Sequence, residues 1–420
     1  MRQGREHLQK RSQINMGYLV SIFFFIALSP RLSVLLEGLI GDVSPRIFNK
    51  LLWVLMYLMV LAVTAYLCYF SGVNVVDVAR RLLYKYKVVL YSALVFLGGV
   101  VISTLFGVDV FESFMGFVYY ALIVSILAFT LFIFEVFPTV RNHFKYGIIV
   151  SALLLSIIAL TQALDHRVNQ NLGYFVDLFN PAGLALVESF NIRTSDIGIF
   201  LRPSSLMVDT NVFAVFMVIA IAIGIKLFLE KKRWWLLPSL LLYFFVLMLT
   251  ASRTGLLVLV VTVLGYYILQ TVFKKRSRDR LFSVAPLSLI LSRLGLNDYS
   301  AFEHLNYWIQ SIKIFLQYPL FGIGVGNFPG YYRSNINSNV DFATAHSVYA
   351  KLLAEGGLVV ILPFLLFIFA FVKKLLENRN ALYTAIFLAL FAGNVTYDFF
   401  LTPWVWMILG LLVGEDGKIS

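Results

Sequence analysis

Asn211 to Trp235 read NVFAVFMVIAIAIGIKLFLEKKRWW. The run 211–229 holds one charge, Lys226, and is closed by Glu230, Lys231, Lys232 and Arg233. As a helix it rises about 1.5 Å per residue and so reaches roughly 28 Å, close to the ~30 Å hydrocarbon core of a bilayer. An apolar run of that length, ending in a basic cluster, reads as a membrane-spanning helix whose basic end faces the cytoplasm.

The same pattern recurs along the chain. Of 420 residues, 60% are hydrophobic and 13% charged, with a mean hydropathy of +0.85. Soluble domains carry about a quarter charged residues. The sequence therefore predicts an all-α, polytopic integral membrane protein with the lipid bilayer as its solvent. Apolar runs at 16–37, 48–70, 88–106, 114–137, 144–164, 211–229, 234–250, 255–273, 281–296, 347–372, 381–397 and 402–414 are the expected spans, about twelve in all. The expected organisation is N-terminal helices with an external loop at 165–210 (1–210), central helices (211–296), an external loop (297–346) and C-terminal helices (347–420). Segment 281–296 is short and contains Pro286 and Arg293. It counts as a span because Lys373–Lys374 would otherwise fall outside; a re-entrant segment is the alternative.

The net charge of +12 does not point to nucleic acid, because Lys and Arg sit in short clusters between apolar runs: RQGREHLQKR, ARRLLYKYK, EKKR, KKRSRDR and KKLLENR. With the N-terminal tail inside, nearly every cluster falls on the same side, and both termini are cytoplasmic. No small-residue cleavage site follows the first apolar stretch, so it reads as a first span rather than a removable signal. Cys68 is the single cysteine, which excludes an intramolecular disulfide and a cysteine metal cluster.

Loops 165–210 and 297–346 then lie outside and are far longer than the usual 4–6 residues. Within the second, Phe302, Leu305, Ile309, Ile312 and Leu316 recur at helical spacing, with Asn306, Gln310, Lys313 and Gln317 on the other side. This predicts an amphipathic helix over 302–317, stopped by Pro319, lying on the outer membrane surface or roofing a cavity.

On this topology three groups share one membrane depth on the outer face: Arg202 in FLRPSSLMVDTNVFA, Arg253 in TASRTG, and His346 in TAHSVYAKLLAEGG. An arginine at a span end is ordinarily a snorkelling anchor, and a histidine at a helix start ordinarily a structural group. A cation in a turn as short as that holding Arg253 is harder to explain as an anchor. The stretch FGIGVGNFPGYYRS carries Gly322, Gly324 and Gly326. It looks like a dinucleotide fingerprint but has no βαβ unit around it; its glycines serve close backbone packing or turn N–H groups toward an anion.

At these residues the chain resembles the O-antigen ligase and polymerase superfamily of membrane glycosyltransferases. The likeness lies in Trp308, then YPLFGIGVGNF (Pro319 to Phe328), then His346 with Ser347 and Gly357 in the family's spacing, with RPSSLMVDTN and SRTGLLVL upstream. It covers about residues 200–370. Val360 departs from the motif's last position, and His304 and Leu305 stand where many members carry an arginine, Arg293 lying further upstream. The resemblance implies a GT-C-like arrangement and a glycan donor on undecaprenyl diphosphate. It also implies a glycan or lipid A–core acceptor, no metal and no cofactor.

Its implied sites are His346 as catalytic base, Arg202, Arg253 and Arg293 on the donor diphosphate, and a supporting loop of Gly322, Gly324, Gly326 and Asn327. Trp308, Tyr331, Tyr332 and Tyr349 are the candidate sugar contacts. Guanidinium groups bind phosphate bidentately and stay charged, and a neutral imidazole is a competent base near neutral pH. Two other classes stay open. A metal-dependent transferase would need external carboxylates, of which Asp109 and Glu112 are the one tight pair. A flippase or transporter would place ionisable groups midway through spans.

Overall fold

The computed structural model describes residues 16–25, isolated positions between 58 and 69, and residues 72–168, 192–195, 198–207, 209–273, 299–338 and 345–414. The segment 281–296 with Arg293, and most of 16–37 and 48–70, lie outside the described residues.

Helices form along the predicted apolar runs among the described residues. Among the described residues six are long and apolar enough to cross a membrane: Lys87–Leu105, Val110–Val136, Val140–Ala163, Thr210–Lys231, Arg253–Val272 and Val348–Glu377. Met16–Phe25, Leu236–Leu249, Ala381–Gly393 and Pro403–Gly414 are apolar but shorter. In chain order the helices are α1 (Met16–Phe25), α2 (Val75–Lys85), α3 (Lys87–Leu105), α4 (Val110–Val136), α5 (Val140–Val168), α6 (Thr210–Lys231), α7 (Leu236–Leu249) and α8 (Arg253–Val272). Then follow α9 (Tyr299–Gln317), α10 (Phe328–Asn335), α11 (Val348–Glu377), α12 (Ala381–Gly393), a 3-10 turn (Phe399–Leu401) and α13 (Pro403–Gly414).

Three elements depart from the sequence expectation. The basic stretch around Arg80–Arg81, read as a loop, is helix α2, which buries Val78 and Leu82 four residues apart. The polar segment after the glycines folds as α10, with Pro329 in its first turn, where a missing N–H costs nothing. Within 165–210 an antiparallel ribbon pairs β1 (Ile192–Ser195) with β2 (Gly198–Leu201), Ile192 opposite Leu201 and Ser195 opposite Gly198.

The chain divides into two compact units that interleave along the sequence: Met1–Val75 with Ile133–Leu256, and Val76–Phe132 with Leu257–Ser420. In the first, α5, α6 and α7 pack on one another. Its core is Phe213, Phe216, Tyr243 and their neighbours, and the Tyr243 hydroxyl donates to the Ile149 carbonyl at 2.6 Å. α6 is the most enclosed of the candidate spans. In the second unit α11 is the hub, packed against α3, α9, α10, α12 and α13. Phe367, Phe371, Phe387 and Trp406 fill the space around it, with Phe371 stacked on Phe387 at 4.7 Å.

The amphipathic helix expected over 302–317 is α9, and it has three faces rather than two. Tyr307, Ser311 and Ile314 are buried toward the protein. Leu305, Ile309, Ile312 and Leu316 form an exposed apolar stripe, and Asn306, Lys313 and Gln317 an exposed polar one. The stripe that the periodicity marks is thus turned away from the protein core, and the core-facing side is a separate row of Tyr307, Ser311 and Ile314.

Candidate functional site

The first unit carries the arginines. The segment after β2 is clamped to α5 at Ser205, whose backbone has φ 56°. Its amide donates to Gln162 Oε1 at 2.9 Å, its carbonyl accepts from Gln162 Nε2 at 3.1 Å, and its hydroxyl donates to the Leu155 carbonyl at 2.7 Å. This fixes Arg202. Its Nε donates to the Thr250 carbonyl at 2.8 Å and its Nη2 to Asn211 Oδ1 at 3.5 Å. Ser252 Oγ donates to the same Asn211 oxygen at 2.8 Å. Asn211 therefore joins the segment carrying Arg202 to the turn carrying Arg253.

Two helices start at this corner. Asp209 caps α6, its carboxylate accepting from the Asn211 amide at 2.6 Å. Ser252 caps α8, its hydroxyl accepting from the Gly255 amide at 3.0 Å, and Arg253 is that helix's first residue. Two helix starts and the Arg202 guanidinium meet at this corner, with Arg253 next to Ser252 in the chain, an arrangement that favours negative charge. Asp209 is the acid in it. Burial pushes its carboxyl up, while the Asn211 amide and Arg202 pull the other way.

The second unit carries His346. Its backbone is left-handed at φ 47°, a conformation uncommon outside glycine and found at strained functional positions. It stands one residue before Ser347, which caps α11 through the Ala350 amide and donates to the Asn394 carbonyl at 3.1 Å. The Val348 amide bonds the same carbonyl at 3.2 Å. Asn394 in turn accepts from the Phe400 amide at 3.1 Å, so the start of α11 is tied to the end of α12 and the 3-10 turn.

The His346 ring is half-buried. Its Nδ1 is buried without a hydrogen-bond partner among the described residues. It stacks on the His304 ring, centroids 4.3 Å apart at 25°, with Tyr307 at 5.5 Å and Tyr397 at 6.3 Å. Burial lowers this imidazole to about 4, so it is neutral at pH 7.

The glycine-rich stretch is a joint rather than an open anion cradle. α11 breaks at Gly357, φ 57° and ψ −157°. There the Leu358 and Val359 amides leave the helix for the carbonyls of Pro319 and Leu320, at 2.9 and 3.0 Å. The stranded carbonyls of Ala354 and Glu355 accept from Ile323 and Gly324, at 3.0 and 2.8 Å. Glu355, fully buried, accepts from the Phe328 amide at 3.0 Å and also from that of Gly326. The amides of Gly322 and Asn327 bond the carbonyls of Tyr318 and Gly324. The glycines pack closely against neighbouring backbone, Gly322 against that of α11, and the Gly326 amide is turned toward the Glu355 carboxyl. Asn327 completes the joint, its Nδ2 reaching Ser113 Oγ at 2.7 Å and the Ile323 carbonyl at 2.9 Å.

The candidate sugar contacts divide. Tyr332 is buried, 3% exposed, against Tyr307. The Tyr349 hydroxyl donates to the Phe391 carbonyl at 2.7 Å. Trp308 and Tyr331 are partly exposed at the edge of the same cluster. Trp308 Nε1 bonds the Val395 carbonyl at 3.3 Å, and the Tyr331 hydroxyl bonds Gln317 at 3.3 Å. Asn211, His304 and Glu355 carry structural weight that the sequence reading did not assign. Glu355 had a signal, a carboxylate within an apolar run in the sequence AEGG.

Searched against protein-family models the chain matches none, and the search of curated proteins finds no significant relative.

Proposed function

We propose that this chain is a glycosyltransferase of the bacterial inner membrane, with about twelve spans and cytoplasmic termini. It transfers a glycan from undecaprenyl diphosphate to an acceptor hydroxyl on the external face. The observation that carries the reading is His346: a neutral imidazole with an unsatisfied ring nitrogen, strained in its backbone and set at the positive end of a helix. Such a group is suited to take a proton beside an anionic donor.

The reaction is an inverting displacement. A ring nitrogen of His346 takes the acceptor's hydroxyl proton as that oxygen attacks the anomeric carbon. The bond from that carbon to the diphosphate oxygen breaks, and undecaprenyl diphosphate leaves with the electron pair. Charge that grows on the leaving phosphate is stabilised by guanidinium groups without a metal, the role that the resemblance implies for Arg202 and Arg253. A growing glycan on a second lipid makes the enzyme a polymerase, the reading favoured here. A lipid A–core acceptor makes it a ligase.

The test is reconstitution in liposomes with purified undecaprenyl-diphosphate-linked oligosaccharide, each acceptor offered in turn, with and without a chelator. Transfer that survives chelation and vanishes in His346→Asn is the expected result; asparagine tolerates the left-handed backbone. Full transfer by His346→Asn ends the base assignment. Glycan flipping without bond formation makes the chain a transporter.

A further inference from the structure

Catalytic histidines are commonly oriented by a hydrogen bond from one ring nitrogen to a carboxylate or carbonyl, which fixes both rotamer and tautomer. His346 has no such bond to its buried Nδ1 among the described residues. What touches its ring is other rings, and the closest and most nearly parallel is His304. We propose that His304 is the positioning residue of this site. Its imidazole, stacked face to face on His346, holds that ring in the orientation from which it meets the acceptor hydroxyl. The inference rests on the role proposed for His346.

The placement of His304 supports the assignment. It stands on α9 three residues before Tyr307 and four before Trp308, on the side of the helix that also presents Tyr307 to His346. α9 packs along α11, the helix that His346 precedes. Tyr307 is backed by Tyr332 at 5.1 Å, and Tyr332 by Phe328 at 5.8 Å, so the stack continues into the glycine joint. Trp308 is tied to the Val395 carbonyl, next to the Asn394 carbonyl that anchors the start of α11. His304 is thus mounted on both sides of the segment it supports. A stacked ring also suits the chemistry. When His346 takes the proton it becomes a cation against an aromatic face, an attractive arrangement.

The experiment uses the full chain in detergent and in liposomes, with His304→Ala and His304→Phe compared with the unaltered protein. The first readout needs no transferase activity: the rate at which diethyl pyrocarbonate modifies His346, followed by peptide mass. Loss of the stacked ring is expected to raise that rate about fivefold or more in His304→Ala, and phenylalanine to restore protection. The second readout is transfer. His304→Ala is expected to lower kcat ten- to a hundredfold, the scale of a mispositioned catalytic group, with KM for the lipid donor within about twofold. His304→Phe is expected to recover kcat to within about threefold. Unchanged His346 reactivity in His304→Ala overturns the proposal. So does a His304→Phe protein as impaired as His304→Ala, which would assign His304 a role in proton transfer. Altered reactivity in a protein that performs no transfer at all upholds the stacking and rejects the enzymatic reading.

Discussion

Burial lowers His346 to about 4 from an ordinary value of 6.5, which fixes the sign of two pH effects. The neutral ring is the base, so activity is present above the folded value and lost as pH falls through it. The acid limb of kcat/KM is expected between pH 4 and 5 rather than near 6.5, measurable in reconstituted protein across pH 4–8. A limb at 6.5 would mean the ring titrates as if exposed. Stability follows the same direction: the folded state binds this proton less readily than the unfolded chain, so stability is full above about 6.5 and declines toward 4. Arg202, Arg253 and His346 stood out in the sequence because the expected topology puts all three at one depth on the outer face. Asn211 and His304 did not, because their roles depend on partners 41 and 42 positions away, Ser252 and His346.

The decisive element is the broken helix α11 with its inserted loop. A Cβ at Gly357 would lie 2.6 Å from the Leu320 carbonyl oxygen, on a backbone already at φ 57°. One at Gly322 would lie 2.3 Å from the backbone of Glu355. Gly357→Ala is therefore expected to cost roughly 1–3 kcal/mol. A melting temperature in detergent lower by several degrees would report it; an unchanged one would mean the loop can lift away. Helix existence was readable from apolar run length, and the boundaries of α3, α6 and α8 agree with it to within a few residues. The break had a signal in Glu355 and the Gly356–Gly357 pair. What enters it did not, because only the pairing with Pro319–Gly324, far upstream, exchanges the helix's own bonds for those of the loop. The same limit applies to α9. Periodicity located its apolar stripe, but the side that packs on the protein mixes Tyr307, Ser311 and Ile314, a row with no apolar period of its own.

At the scale of the whole molecule, basic clusters and run lengths make the helical membrane character legible, whereas the partition into two interleaved units depends on contacts between distant segments. That partition has a consequence for synthesis. Ser103 in α3 donates to the carbonyls of Phe321 and Glu355, acceptors 218 and 252 residues later in the chain. At about 5–20 residues per second, the ribosome delivers the second of these roughly 10–50 s after Ser103 itself. A chain stopped after Leu256 keeps α2, α3 and α4 but never receives α11, and is expected to be degraded faster than the full chain in a pulse-chase experiment. Equal half-lives would show that these helices persist alone. Until then the Ser103 hydroxyl lacks both of the acceptors it has in the folded chain, and α3 waits, already made, for the helix that completes its packing.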